Sequence, residues 1–279
     1  MSPLRHNLRC SVIDGTFYMV MLGLAETFFP LFILDLYGAE VASGLIATVP
    51  LLFASVLQVF SPVFVRWAGS YKRVAWVCAA VQAAACPVLA VIAVVGHAPV
   101  WVTFLVAAMY HCGAIVGGPP WTVLMSILVP APIRANFFAR RLRTLQIGAV
   151  AAVVLGAAIL DSAPRLVRAA ADVLPVLQRF EDRPTMLVYG LLFLLAGVAR
   201  VVSAVYLRRH IEPEHAISRH TVLSARQLVE RMRHGGRWRI IGVIILFWFC
   251  AMVGSPYWAA YVRGPAALSF LEWAGLIVL

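Results

Sequence analysis

The chain has 279 residues, of which 62% are hydrophobic and only 13% charged, and its mean hydropathy is +0.89. Soluble domains carry about 25% charged residues, so this composition excludes a water-soluble fold, whose core could not hide so much apolar surface. The net charge of +11 does not indicate nucleic acid, because the basic residues are dispersed among loops between apolar stretches and form no basic face.

A helix needs roughly 20 apolar residues to cross a hydrocarbon layer of ~30 Å. Stretches of this kind predict spans at 11–36, 43–65, 74–96, 100–129, 145–161, 185–207 and 240–262, the fifth being short. The first follows Arg5 and Arg9 as a signal peptide would, but it is too long for a signal's apolar region and contains Asp14 and Glu26. It is read as mature structure. The fold class expected is therefore an all-α, polytopic membrane bundle. Residues 1–207 form an N-terminal six-helix unit, in two groups of three around a loop at 130–144. Residues 208–239 form a basic linker, and residues 240–279 begin a C-terminal bundle that is expected to be incomplete.

Between the fifth and sixth spans, Leu166, Ala170, Val173 and Leu177 recur at helical spacing and predict a short surface helix. In the linker, Val222, Val229 and Met232 alternate with Arg226, Arg231 and Arg233. That pattern fits either a basic amphipathic helix on an anionic leaflet or a solvated charged linker. After Arg263 too few apolar residues remain for another crossing, and the chain is expected to break off inside a helix.

Orientation follows from the loops. With the N-terminus in the cytoplasm, that side holds Arg5, Arg9, Arg66, Lys72, Arg73, Arg134, Arg140, Arg141, Arg143 and the arginines between Arg208 and Arg239. The other side holds only Arg165, Arg168, Arg179, Arg183 and Arg263. The positive-inside rule then predicts a multi-pass protein of the inner or plasma membrane with a cytoplasmic N-terminus. Cys10, Cys78, Cys86, Cys112 and Cys250 have no metal-ligand spacing, and neither a disulfide framework, a metal site nor a cofactor is expected.

The run from Trp121 to Pro130, continuing through Arg134 to Phe137-Phe138-Ala139-Arg140-Arg141, resembles the fourth helix and following loop of bacterial major facilitator superfamily transporters. The resemblance implies two six-helix halves, of which this chain would supply the first, the central linker and the start of the second. The superfamily's signature between helices two and three aligns with its second glycine at Gly69 and its basic end at Lys72 and Arg73. Pro62 then replaces the first glycine and Arg66 the acid, so the cytoplasmic lock made by that acid lacks its carboxylate. The arginine that proton-coupled drug antiporters carry in helix four falls at Met109, beside Gly113, and drug efflux is not expected. Pro30, Pro50, Pro62, Pro87, Pro119, Pro120 and Pro256 interrupt the apolar spans, which is tolerated where neighbouring helices or a water-filled cavity satisfy the freed backbone.

Ionisable groups inside the bilayer cost roughly 2.5–3.5 kcal/mol each and should find partners. Glu26 and His111 both lie ~15 Å below the outer surface, on helices that line the substrate cavity in the superfamily. They are expected either to face each other there, binding a polar solute or exchanging a proton, or to be satisfied interior groups. Asp14 is expected to complement the start of the first helix, or to pair with Arg140 or Arg141. Arg200 should snorkel to the headgroups. Gln58 and Gln82 should pack between helices, with Gln58 also placed to line the cavity, and Trp121 is either a packing residue or a cavity wall.

No His-Glu-x-x-His, Gly-x-Ser-x-Gly, paired acidic motif or phosphate-cradling loop occurs, so an enzyme is not expected. The sole lysine is Lys72, in a loop, which argues against a retinal protein. The function expected is transport of an unidentified small solute by alternating access, with or without proton coupling, incomplete in this chain. The alternative is a transport-inactive remnant, or a half-transporter or membrane scaffold that needs a second copy or a missing second half. On either view the isolated chain should move no solute.

Overall fold

The computed structural model describes residues 2–38, 40–213, 237–263 and 266–278. Every regular element among them is helical. The first crossing is a composite. α1 (Pro3–Met21) passes through a π-helical turn, Leu22–Glu26, into α2 (Phe29–Tyr37). Pro30 explains the break: it cannot donate to the carbonyl four residues back, and its ring excludes regular α geometry there. The chain takes one wide turn instead, with Thr27 N–H reaching Leu22 O at 3.1 Å.

α3 (Glu40–Gln58) and α4 (Ser61–Ala68) follow, meeting at 56° where Pro62 starts the second of them. Gly69 ends α4 at φ 66°, a left-handed position that glycine occupies without a Cβ clash. α5 (Tyr71–Val95) and α6 (Val100–Leu128) then run unbroken through Pro87 and through Pro119–Pro120. α7 (Ala131–Asp161) corrects the sequence reading. The expected loop at 130–144 is the first part of this helix. Hydropathy falls there because of Arg134, Arg140, Arg141 and Arg143, but a run of alanine, arginine and leucine after Pro132 is a good helix former that merely happens to be polar.

The expected surface helix is α8 (Ala163–Val173), followed by a 3₁₀ turn, Pro175–Phe180. Its buried stripe is Ala163, Val167 and Ala171, while Leu166 and Val173 are exposed, so the contact face is one position from the expected one. α9 (Pro184–Arg208) returns through the bundle. α10 (Arg237–Arg263) lies against α2 and α3, and Trp238–Cys250 present their side chains outward. Short α11 (Phe270–Val278) is capped by Asp161, which accepts from Phe270 N–H and Leu271 N–H at 2.9 Å each. The amphipathic pattern of Val222, Val229 and Met232 lies outside the described residues.

Among the described residues, five helices are long and apolar enough to cross a bilayer: Pro3–Tyr37, Tyr71–Val95, Val100–Leu128, Ala131–Asp161 and Pro184–Arg208. The chain is an all-α, multi-pass membrane protein. Contacts at the ends of the bundle show how often it is traversed. Asn7 exchanges hydrogen bonds with the backbone of Ile211, at 2.8 and 3.2 Å. Near the opposite end, Tyr37 Oη meets Ala98 O at 3.1 Å and Thr103 Oγ1 at 2.7 Å. Residues 7 and 211 thus share one end, which requires an even number of passes between them. The bent pair α3–α4 is the sixth leg.

The core is aromatic at one end, where Phe32 packs on Phe193 at 5.0 Å and on Tyr189 at 5.5 Å. Elsewhere the helices approach on small residues. A Cβ placed on Gly113 would sit 2.6 Å from the Cys78 carbonyl oxygen, and one on Gly117 3.0 Å from Cys78 Cβ. Gly113 and Gly117, four apart, therefore seat α6 directly on the backbone of α5.

Candidate functional site: a charged cavity inside the bundle

Close helix contact leaves one internal opening of interest. A cavity of about 250 Å³ lies among α1, α5, α6, α7 and α9, lined by Asp14, Tyr18, Gly113, Gly117, Trp121, Arg141 and Arg200 among others. Its walls are mostly apolar and carry three charged groups, Asp14, Arg141 and Arg200. Asp14 is 4% exposed and Arg200 7% exposed. They are joined through a hydroxyl: Arg200 Nη1 donates to Ser203 Oγ at 2.7 Å, and Ser203 Oγ donates to Asp14 Oδ1 at 2.7 Å. The Arg200 guanidinium lies 4.7 Å from the centroid of the Tyr18 ring, and its Nε is buried with no hydrogen-bond partner among the described residues. Arg141 also lines the cavity. Its Nε donates to Ser11 O at 3.0 Å, and its guanidinium lies 4.7 Å above the Trp121 ring. Stacking on an aromatic face is a favourable way to hold a guanidinium in apolar surroundings.

Two sequence expectations are corrected here. Asp14 is well inside α1, which begins at Pro3, and so cannot complement that helix's first turn. Arg200 does not snorkel, because Ser203 and Tyr18 hold it inside the bundle. Asp14 serves Arg200, a partner that sequence distance concealed, while Arg141 shares the cavity. Trp121 is a cavity wall as well as a packing residue.

Among the described residues, Glu26 and His111 have separate partners and make no bond to each other. Glu26 sits on the π-helical turn and is exposed at the face of the isolated chain. Its partner on α6 is Tyr110, whose hydroxyl lies 3.4 Å from Glu26 Oε2 and 2.9 Å from Met21 Sδ. His111, one residue on, is buried and meets Phe29 edge-on at 6.3 Å. Gln58 is half-buried at the end of α3 and does not line the cavity. Gln82 is fully buried, and among the described residues neither its Oε1 nor its Nε2 has a hydrogen-bond partner, contrary to the expected interhelical bond.

Of the basic residues taken from the loops, Arg134 and Arg73 cap helices. Arg134 donates to Ser126 O at 2.7 Å and to Val129 O at 3.0 and 3.2 Å, satisfying carbonyls at the end of α6. Arg73 Nη1 does the same for α4 through Ala68 O at 2.7 Å. Lys72 Nζ donates to His210 O at 2.9 Å, and Arg140 is exposed. Sequence reasoning missed Glu212 altogether. Its carboxylate accepts from Tyr71 N–H at 2.9 Å, from Lys72 N–H at 3.3 Å and from the Ser70 hydroxyl, and so caps α5 from the far end of the six-pass unit. With His6 lying 3.0 Å from Arg209 O, α1, α5 and residues 209–212 form one polar clamp. The Gly113-x-x-x-Gly117 pair was also missed, although its spacing was there to be read. No protein-family model, curated protein or solved structure matches this chain.

Proposed function

We propose that this chain is the solute-handling six-helix unit of a major-facilitator-type secondary transporter, set in the cell membrane with its N-terminus in the cytoplasm. The observation that carries the reading is the Asp14–Ser203–Arg200 chain of hydrogen bonds opening on a cavity within helices long enough to span lipid. Charged groups at such depth are costly, and their usual purpose is a solute or ion pathway. A scaffold or lipid-facing anchor gains nothing from them. The π-helical turn that displays Glu26 gives further support, because such turns concentrate at functional sites.

Water access tests the reading. Gly118 lines the cavity and has open space where a Cβ would stand, so Gly118→Cys should be tolerated. In sealed membranes, a charged, membrane-impermeant thiosulfonate added from the N-terminal side should modify that cysteine above the wild-type background. A cysteine that stays unmodified from both sides would sink the proposal. Saturable uptake into liposomes holding only this polypeptide would show that one unit suffices for movement; solute binding without uptake would assign it the half-transporter role.

A further inference from the structure

Resting on that reading, we propose that the cavity binds a small organic monoanion through its carboxylate, with Arg141 as the guanidinium that receives it. The argument is one of charge balance. The charged groups lining the cavity are Asp14, Arg141 and Arg200, one negative and two positive. Asp14 is committed to Arg200 through the Ser203 hydroxyl. Among the described residues, Arg141 makes one hydrogen bond, from Nε to the Ser11 carbonyl, and no carboxylate lies within ion-pair distance of it. Its two terminal amino groups are the donors that bind carboxylates in a bidentate fork. A partly buried guanidinium in an apolar chamber needs a counter-charge in contact with it; Arg141 touches only the Ser11 carbonyl and the neutral face of Trp121 among the described residues, while Asp14, engaged with Ser203, acts on it from beyond ion-pair distance.

The size of the chamber narrows the class. At about 250 Å³ it falls below the roughly 300–1,000 Å³ of pockets for drug-sized ligands, so the anion is a few carbons long. One unmatched positive charge selects a monoanion. A dianion such as phosphate would leave a net negative charge in the chamber, and a neutral amide would leave Arg141 uncompensated.

The test uses the intact chain in lipid nanodiscs, with lactate as the probe, lactamide as its neutral counterpart and inorganic phosphate as the dianion. Phenylglyoxal labels accessible guanidinium groups, and the extent of labelling at Arg141 is read by mass spectrometry of its peptide. Lactate should slow labelling of Arg141 in a saturable manner, with lactamide and phosphate far less effective. In Arg141→Gln, lactate should bind roughly tenfold more weakly or worse, read as loss of its thermal stabilisation. The proposal is overturned if lactate leaves labelling unchanged, if lactamide or phosphate protects equally well, or if Arg141→Gln binds lactate like the wild type. Should that variant not fold, the labelling of the unmodified chain decides alone. Uptake of a neutral solute by a chain that lactate does not protect would preserve the transport reading and remove this one. Lactate protection in a chain whose Gly118→Cys variant stays unmodified would do the reverse.

Discussion

Asp14, Ser203 and Arg200 show what burial in a membrane does to single residues. Removing the acid strands a guanidinium that is 7% exposed, and breaking a buried pair in this way costs about 3–5 kcal/mol. Asp14→Ala should therefore lower the unfolding midpoint in detergent sharply, and Ser203→Ala by less, about 1–3 kcal/mol, because it removes one bridging hydroxyl. Equal stability of the Ser203→Ala chain and the wild type would show that the hydroxyl carries no load. Gly113 is a second such residue. Gly113→Ala would force a methyl against the backbone of α5, where nothing flexible can yield, and an overpacking cost of about 1–3 kcal/mol is expected in the same assay. Asp14 and Arg200 could be singled out from sequence as charges in oily surroundings. That they serve each other could not, because 189 residues separate Asp14 from the hydroxyl that joins them.

Among the elements, α5 depends on a cap from outside itself. The Glu212 carboxylate faces its first N–H groups, where a negative charge complements the helix dipole by about 0.3–1 kcal/mol. Glu212→Gln should raise hydrogen exchange at Tyr71 and Lys72 while leaving the middle of α5 protected; unchanged exchange would remove the cap from the account. The same clamp should respond to acid. Burial pushes the His210 imidazole below its ordinary value, and His6 and Lys72 push the same way, against the opposing effects of the Leu207 carbonyl and Asp14. The folded state thus favours neutral His210. Its contribution to stability is complete above the unfolded value of about 6.5 and is lost as pH falls below it. The protection of amides in residues 205–213, corrected for the intrinsic exchange rate, should therefore fall as pH is lowered from about 7.5 to about 5.5, and His210→Gln should flatten that dependence. Helix positions were legible from apolar runs, but α7 was not legible in full, since hydropathy reports environment and a polar helical segment reads as a loop.

For the whole molecule, the contact of Asn7 with Ile211 sets parity: both ends of the six-pass unit lie at one end of the bundle. Tags at Ser2 and at Pro213 should report the same side of the membrane, and a tag at Val176 in the 3₁₀ turn the opposite one. Opposite signals from the first two would mean that α3–α4 does not return across the bilayer. Amino-acid order alone determined that the protein lives in lipid, roughly where its helices lie and which residues are costly there, because hydrophobic transfer and backbone satisfaction are local properties that add along a chain. Only the tertiary structure decided which distant charges meet, that Trp121 and Arg141 wall a chamber and that Glu212 caps α5. Those outcomes depend on which helix faces touch, and the faces are selected by close packing of small residues such as Gly113 and Gly117, a property of pairs of helices and not of either one.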